Sequence, residues 1–339
     1  MRSSRLLAAL GVVAALVGWH LAGHGGRPVA VLPSTAPRAA SGDRLIVEPD
    51  DGMTPIYSLL SSPRRSLDMT MYELDDPTAE QIIAGDAGRG VRVRVILDRR
   101  LERQRNLPAY DYLAHRGVQV VWSSGRYFAT HEKAFVIDDR VAVVMSLNLT
   151  ARYYATSRDL AVVDADLADV AAIESVFSAD LRGAGGVPAA DDLVWSPGQS
   201  WADMLVLIGR ARASVALESE ELSSPAVVSA LVAAARRGVR VSVAMTYQDT
   251  WRPAFTALAR AGARIRVMYG ERPLYLHAKL MAIDAGTPRG IAFVGSENLA
   301  DASLLHDREL GIVLMLPRLV QRVAGVIASD ERDGTAWPP

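Results

Sequence analysis

Two histidines, each followed two residues later by one of the chain's only two lysines, are the residues best placed to do chemistry. They lie in His131-Glu132-Lys133-Ala134-Phe135-Val136-Ile137-Asp138 and in His277-Ala278-Lys279-Leu280-Met281-Ala282-Ile283-Asp284, both of the form H-x-K-x-x-x-x-D. Residues two apart on a strand face the same side, so each copy is expected to present an imidazole and an ammonium together. A neutral imidazole can act as nucleophile or base while a protonated one donates a proton, so two histidines converging on one substrate can divide the work. Arginine is used freely everywhere else in the chain, so the two lysine positions call for a compact ammonium rather than a planar fork.

Each motif continues in the same way. After Asp138 or Asp284 comes a turn, then an apolar strand ending in Ser146-Leu147-Asn148 or Ser296-Glu297-Asn298. The interval from histidine to asparagine is 17 in one copy (131 to 148) and 21 in the other (277 to 298), and a hairpin tip containing Gly and Pro accommodates the surplus. Downstream the registers agree again: Asn148 to Asp159 and Asn298 to Glu309 are both 11 residues, and Arg158 or Arg308 precedes the acid. A lone histidine on an apolar strand is ordinarily a satisfied core residue; two copies with matched trailing residues argue for catalysis. No compact cluster of His, Asp and Glu has metal-ligand spacing, and the chemistry calls for neither a metal nor another cofactor.

The elements that position these residues are duplicated too. Glu73 and Glu221, Pro77 and Pro225, and Gly90 and Gly238 are all 148 residues apart. Each pair marks the same events: a strand-like run ending in an acid, a helix opening at proline, and a glycine before the alternating runs from Val91 and Val239. Alternation of strand and helix predicts an α/β fold, two tandem units with mixed, largely parallel sheets covered by helices and packed face to face. The expected divisions are a leader and linker over 1–42, a first unit over 43–182, a Gly/Pro-rich linker over 183–188 and a second unit over 189–339. The helix expected from Asp166 to Leu181 runs into that linker.

Composition sets limits. The 339 residues are 50% hydrophobic with a formal charge of −1, so there is no overall basic field to gather a nucleic acid. The absence of cysteine excludes disulfides and thiolate chemistry. Arg2 and Arg5 precede an apolar run, Leu6 to Ala22, and then a small-residue tract. These are the parts of an export signal or membrane anchor, with the body delivered outside the cytoplasm. Aromatic residues stand just before each histidine: Tyr127-Phe128, and Tyr269 with Leu274-Tyr275. They suit an apolar mouth for a lipid, a stacking surface for bases, or ordinary packing.

The duplicated H-x-K-x-x-x-x-D with a Ser-x-Asn segment resembles the phospholipase D superfamily from about Asp43 to the C-terminus. The second copy, Val294-Gly295-Ser296-Glu297-Asn298, follows the family pattern; the first has Met145 where glycine is usual and Asp159 where glutamate is usual. The resemblance implies two phospholipase D-like domains and a covalent phosphohistidine resolved by water or an alcohol. It groups His131, Lys133, Asp138, His277, Lys279 and Asp284 as the catalytic motif, with His131 as nucleophile and His277 as acid. Asn148, Asn298, Ser146 and Ser296 would bind phosphate with the lysines, and Asp159 and Glu309 would orient the histidines. Asp138 and Asp284, at the turn end, also suit a structural role. The implied partners are a phospholipid substrate and a membrane surface, with no protein partner. A secreted metal-independent endonuclease and an inactive binding module are the alternatives.

Overall fold

The computed structural model describes residues 43–186, 192–270 and 273–338. The export or anchor segment and part of the expected linker lie outside the described residues. Among the described residues no helix is long and apolar enough to cross a membrane.

The first half runs β1 (Arg44–Glu48), α1 (Thr54–Leu60), β2 (Ser66–Met71), β3 (Leu74–Asp75), α2 (Pro77–Gly88), β4 (Arg92–Leu97) and α3 (Arg103–Ala114). It continues with β5 (Gln119–Trp122), β6 (Lys133–Ile137), β7 (Val141–Met145), β8 (Leu149–Thr150), β9 (Ser157–Asp164) and α4 (Leu167–Leu181). The second half repeats the plan as β10 (Leu193–Ser196), α5 (Ser200–Arg210), β11 (Ser214–Glu218), α6 (Pro225–Arg236), β12 (Arg240–Thr246), α7 (Arg252–Arg260) and β13 (Arg264–Met268). Then come β14 (Tyr275–Leu276), β15 (Lys279–Ile283), β16 (Ile291–Gly295), α8 (Asp301–Leu305), β17 (Glu309–Leu314), α9 (Pro317–Asp333) and β18 (Thr335–Ala336).

The main sheets are ordered β1-β9-β7-β6-β2-β4-β5 and β10-β17-β16-β15-β11-β12-β13-β18. Both are mixed. Within each half's main sheet, β2-β4-β5 and β11-β12-β13 pair in parallel, and helices α2, α3, α6 and α7 make the crossovers. The strands carrying the motifs pair antiparallel, as the hairpins β6-β7 and β15-β16.

Period-two alternation sends successive side chains to two different cores. On β6, Phe135 and Ile137 join the outer core of the first half, under α1 to α3, whereas Ala134 and Val136 face the second half. On β15, Met281 and Ile283 point outward while Ala278, just before the strand, Leu280 and Ala282 face the first half. The inward-facing residues of both sheets, with Val170, Ile173 and Val176 of α4 and Leu319, Val320, Val323 and Ile327 of α9, form one shared core. The two halves are therefore one packed body, which lets residues on opposite sheets be held at hydrogen-bonding distance.

Two arginines lock that body. Arg158 reaches from β9 to Asp330 on α9 with Nε at 2.8 Å and Nη2 at 3.0 Å, and Nη1 donates to the Glu48 carbonyl at 2.9 Å. Arg308 makes the reciprocal connection to Asp180 on α4, with Nε at 2.7 Å, and its guanidinium lies over the Tyr127 ring at 4.4 Å. Both arginines are buried.

Candidate active site

The histidines precede the motif strands rather than sitting on them, since β6 and β15 begin at Lys133 and Lys279. The reason lies in the opposite half. Thr130 bridges in parallel to Arg308, and the amides of His131 and Glu132 both donate to the Arg308 carbonyl at 2.9 Å. Correspondingly, β14 pairs in parallel with β9, setting Leu276 against Arg158. Each histidine is thus delivered by a segment paired to the strand that carries the other half's acid.

The acid–histidine pairs accordingly cross. His131 Nδ1 lies 2.7 Å from Glu309 Oε2, and His277 Nδ1 lies 2.8 Å from Asp159 Oδ1. A carboxylate on Nδ1 holds a hydrogen there and leaves Nε2 as the reacting atom. Asp159 reaches its partner although it is one methylene shorter than Glu309. Ser146 Oγ supports it, donating to the same Oδ1 at 2.6 Å. Glu309 has equivalent support from Ser303 Oγ, on α8.

Both histidines line a single cavity of about 480 Å³, together with Asn148, Asn298, Asp159 and Glu309. Burial first, then the Lys133 and Lys279 ammoniums, hold His131 well below the ordinary imidazole range. Lys133 is fully enclosed, and burial followed by repulsion from Lys279 brings it down to about 7. Burial pushes the Glu309 carboxyl up to about 7, against the opposing pull of Lys133. Each lysine ammonium folds back onto its own histidine's carbonyl, Lys133 at 2.5 Å and Lys279 at 2.6 Å. Asn148 and Asn298 each leave a buried Oδ1 without a partner beside the cavity.

Four of the residues expected at the site serve it from elsewhere. Ser146 and Ser296, expected to bind phosphate, are fully buried and do not line the cavity. Ser146 accepts from the Leu160 amide at 2.9 Å as well as holding Asp159, and Ser296 accepts from the Leu310 amide at 3.1 Å. They fix the strands that bear the acids. Asp138 and Asp284 lie at the far ends of their strands, at positive φ of 55° and 49°. Asp138 Oδ1 accepts the amides of Arg65 at 2.7 Å and Ser66 at 2.9 Å, and Asp284 Oδ1 those of Ala213 at 2.6 Å and Ser214 at 2.9 Å. These backbone donors outweigh partial burial and lower both carboxyls. Grouping them with the catalytic residues is corrected: they pin the turn of each hairpin to the start of β2 or β11.

Met145 also has an explanation. Gly295 faces Gly311 across β16 and β17, and a Cβ on Gly295 would stand 2.5 Å from the Gly311 Cα, 2.8 Å from the Phe293 ring and 2.4 Å from Glu297 Oε2. The first half has Val143 for Phe293, Leu147 for Glu297 and Ala161 for Gly311. Val143 is smaller than Phe293, and Met145 is buried with it in the outer core of the first half, so the departure is one of packing.

The site contains one further charged group. Glu220 Oε2 stands 3.0 Å from Lys279 Nζ and 3.5 Å from His277 Nε2, and Oε1 accepts from the Tyr275 hydroxyl at 2.9 Å. Its counterpart 148 residues earlier is Tyr72, whose ring meets His131 edge-on at 4.6 Å and lies under the Lys133 ammonium at 4.8 Å. The internal repeat marks both positions, but a reading centred on shared residues passes over a place where the copies differ. Among the described residues, Asp68, Asp139 and Glu174 are close enough to hold a cation, but Arg94 already bridges Asp68 and Glu174, and none of the three lines the cavity.

The family model described as "Cardiolipin synthase, PLD-like domain" matches residues 56–181 and again 204–330. No curated protein matches the chain in sequence. Among solved structures, phosphatidylserine synthase of Haemophilus influenzae superposes with a TM-score of 0.67 at 14% identity, over 91% of this chain and 89% of that one. Polyphosphate kinase of Porphyromonas gingivalis gives 0.68 at 17% identity over 86% of this chain, which spans 51% of the kinase. The phospholipase D family member Nuc of Salmonella typhimurium gives 0.40 at 22% identity over 43% of this chain and 97% of that one.

Proposed function

We propose that this chain, which belongs to the phospholipase D-like family of the cardiolipin synthase, PLD-like domain, cleaves or exchanges the head-group ester of a phospholipid through a phosphohistidine. The observation that carries the chemistry is the crossed arrangement: two imidazoles open to one cavity, each with its own carboxylate on Nδ1. In the first step His131 Nε2 bonds to phosphorus, the ester bond to the head-group oxygen breaks, and a proton from His277 Nε2 goes to that oxygen. In the second step water or an alcohol bonds to phosphorus, the nitrogen–phosphorus bond breaks, and the acceptor's proton returns to His277. Asn148 and Asn298, which line the cavity, would meet the non-bridging oxygens, and the buried Lys133 and Lys279 ammoniums behind the histidines would offset the charge developing there.

A lipid is favoured over a nucleic acid by the cavity's walls. Tyr72, Phe128, Tyr153, Tyr154, Tyr247 and Tyr275 supply apolar and aromatic surface, and no arginine is among the described lining residues. A polyanionic backbone would meet Glu48, Glu73, Glu220 and Glu221 there instead of the cations it needs. The N-terminal apolar run supports a site at the outer face of a membrane.

The test uses phosphatidylcholine vesicles in EDTA. Release of head group by the wild type, abolished in His131→Ala and His277→Ala, is expected. Equal release by both variants contradicts the mechanism, and cleavage of plasmid DNA without vesicle cleavage would assign the site to nucleic acid.

A further inference from the structure

The duplication is broken inside the catalytic cavity at one position, and the break has chemical content. At position 72 stands a phenol ring that offers His131 an edge and no charge. At position 220 stands a carboxylate, three-quarters enclosed, against His277 Nε2 and Lys279 Nζ. Burial opposes its charge, but Lys279 and His277 outweigh that and hold Glu220 well below the usual carboxylate range. His277 therefore faces an acid from each ring nitrogen, Asp159 at 2.8 Å on Nδ1 and Glu220 at 3.5 Å on Nε2. His131 has one acid in contact, Glu309 at Nδ1, beside the Tyr72 ring; the buried Lys133 and Lys279 ammoniums oppose its protonation more strongly than Glu220, across the cavity, favours it.

We propose that Glu220 is the positioning residue that divides the labour between two otherwise equivalent histidines, keeping a hydrogen on His277 Nε2 so that this ring serves as proton donor and leaves attack to His131. His277 has a carboxylate facing each ring nitrogen, whereas His131 has one on Nδ1 alone, and there Glu220 acts through its charge only, against the Lys133 and Lys279 ammoniums. The groups that bear on His277 are Asp159 from β9, Glu220 after β11, Lys279 from β15, the Tyr275 ring and His131 across the cavity. Glu220 also neutralises Lys279 in the absence of substrate. A dianionic monoester should accordingly be bound less well than a monoanionic diester.

This inference rests on the phosphodiesterase reading, and the experiment separates the two. Wild type, Glu220→Gln and Glu220→Tyr are compared on two diesters, one leaving as p-nitrophenolate and one as an alkyl alcohol. Glu220→Gln keeps partners for Tyr275 and Lys279, so a melting curve like the wild type's checks its fold. Loss of an aligned proton donor costs about 10²-fold or more where the leaving group needs the proton. Glu220→Gln should therefore lose at least ~10-fold more kcat on the alkyl diester than on the nitrophenyl one. The basic limb of kcat against pH should move to lower pH, and the covalent phosphoryl group should map to His131 in the wild type. Equal losses on both diesters with an unmoved pH profile, or a label on His277, would overturn the assignment of Glu220 while leaving the phosphodiesterase reading intact. If the wild type cleaves no diester, both fall.

Discussion

Replacing Arg158 by methionine tests whether the crossed geometry depends on the clamp beside it. The guanidinium is 6% exposed and the Asp330 carboxylate 2% exposed, and two hydrogen bonds of 2.8 and 3.0 Å join them. Methionine keeps most of the stem's packing and removes the charge. Asp330 is left buried beside Glu218, itself fully enclosed and, through burial first and Asp330 second, already held well above the carboxylate range. Removing one partner of a buried pair costs about 3 to 5 kcal/mol. At roughly 2 °C per kcal/mol for a chain of this size, the expected fall in Tm at pH 7.5 is about 6 to 10 °C, read by calorimetry. The sign of the pH dependence follows from the orphaned acid. Without Arg158 nothing offsets the buried Glu218 and Asp330 pair, so the folded variant takes up a proton more readily than the unfolded chain, and the deficit grows with pH and shrinks as pH falls towards 5. A loss below about 2 °C at pH 7.5, or one that does not change between pH 8 and 5, would refute the reasoning. Asp330→Asn in the Arg158→Met background should cost far less than it does alone.

Further outcomes follow from the same contacts. Asp159→Asn, a change in the first half, should disturb the ring nitrogen and proton resonances of His277 and leave those of His131 in place, with kcat reduced about 10²- to 10⁴-fold by analogy with triad acids. Ser146→Ala should lower kcat with KM nearly unchanged in steady-state kinetics, because Ser146 holds Asp159; a phosphate ligand would raise KM instead. Because Lys133 loses its proton near 7, kcat/KM for a diester should decline as pH rises through that value, and Lys133→Arg, however weakly active, should lose that contribution and keep only the limb of the proton donor.

What was legible in the sequence was what repeats. The 148-residue offset marks the strands, helices and glycine turns of both halves, and the paired histidines and asparagines mark the cavity. The partnership of each acid was not legible, because Asp159 and Glu309 pair across the two halves and spacing along the chain reports only neighbours within one. The role of the serines was not legible for a related reason: their repeated place two residues before asparagine reflects a bond to the strand bearing the acid, not an approach to substrate. Asp138 and Asp284 follow five residues after each lysine, yet a strand of that length carries them to the opposite end of the sheet. Glu220 escaped notice because it is the point at which the copies disagree.

The most direct test of a single site shared by both halves is the stoichiometry of the covalent intermediate, measured by acid quench of the enzyme with a ³²P-labelled diester followed by peptide mapping. The account predicts one phosphoryl group per chain at saturation, on His131, and none in His131→Ala. Two phosphoryl groups per chain, one on each histidine, would show two independent sites and contradict it.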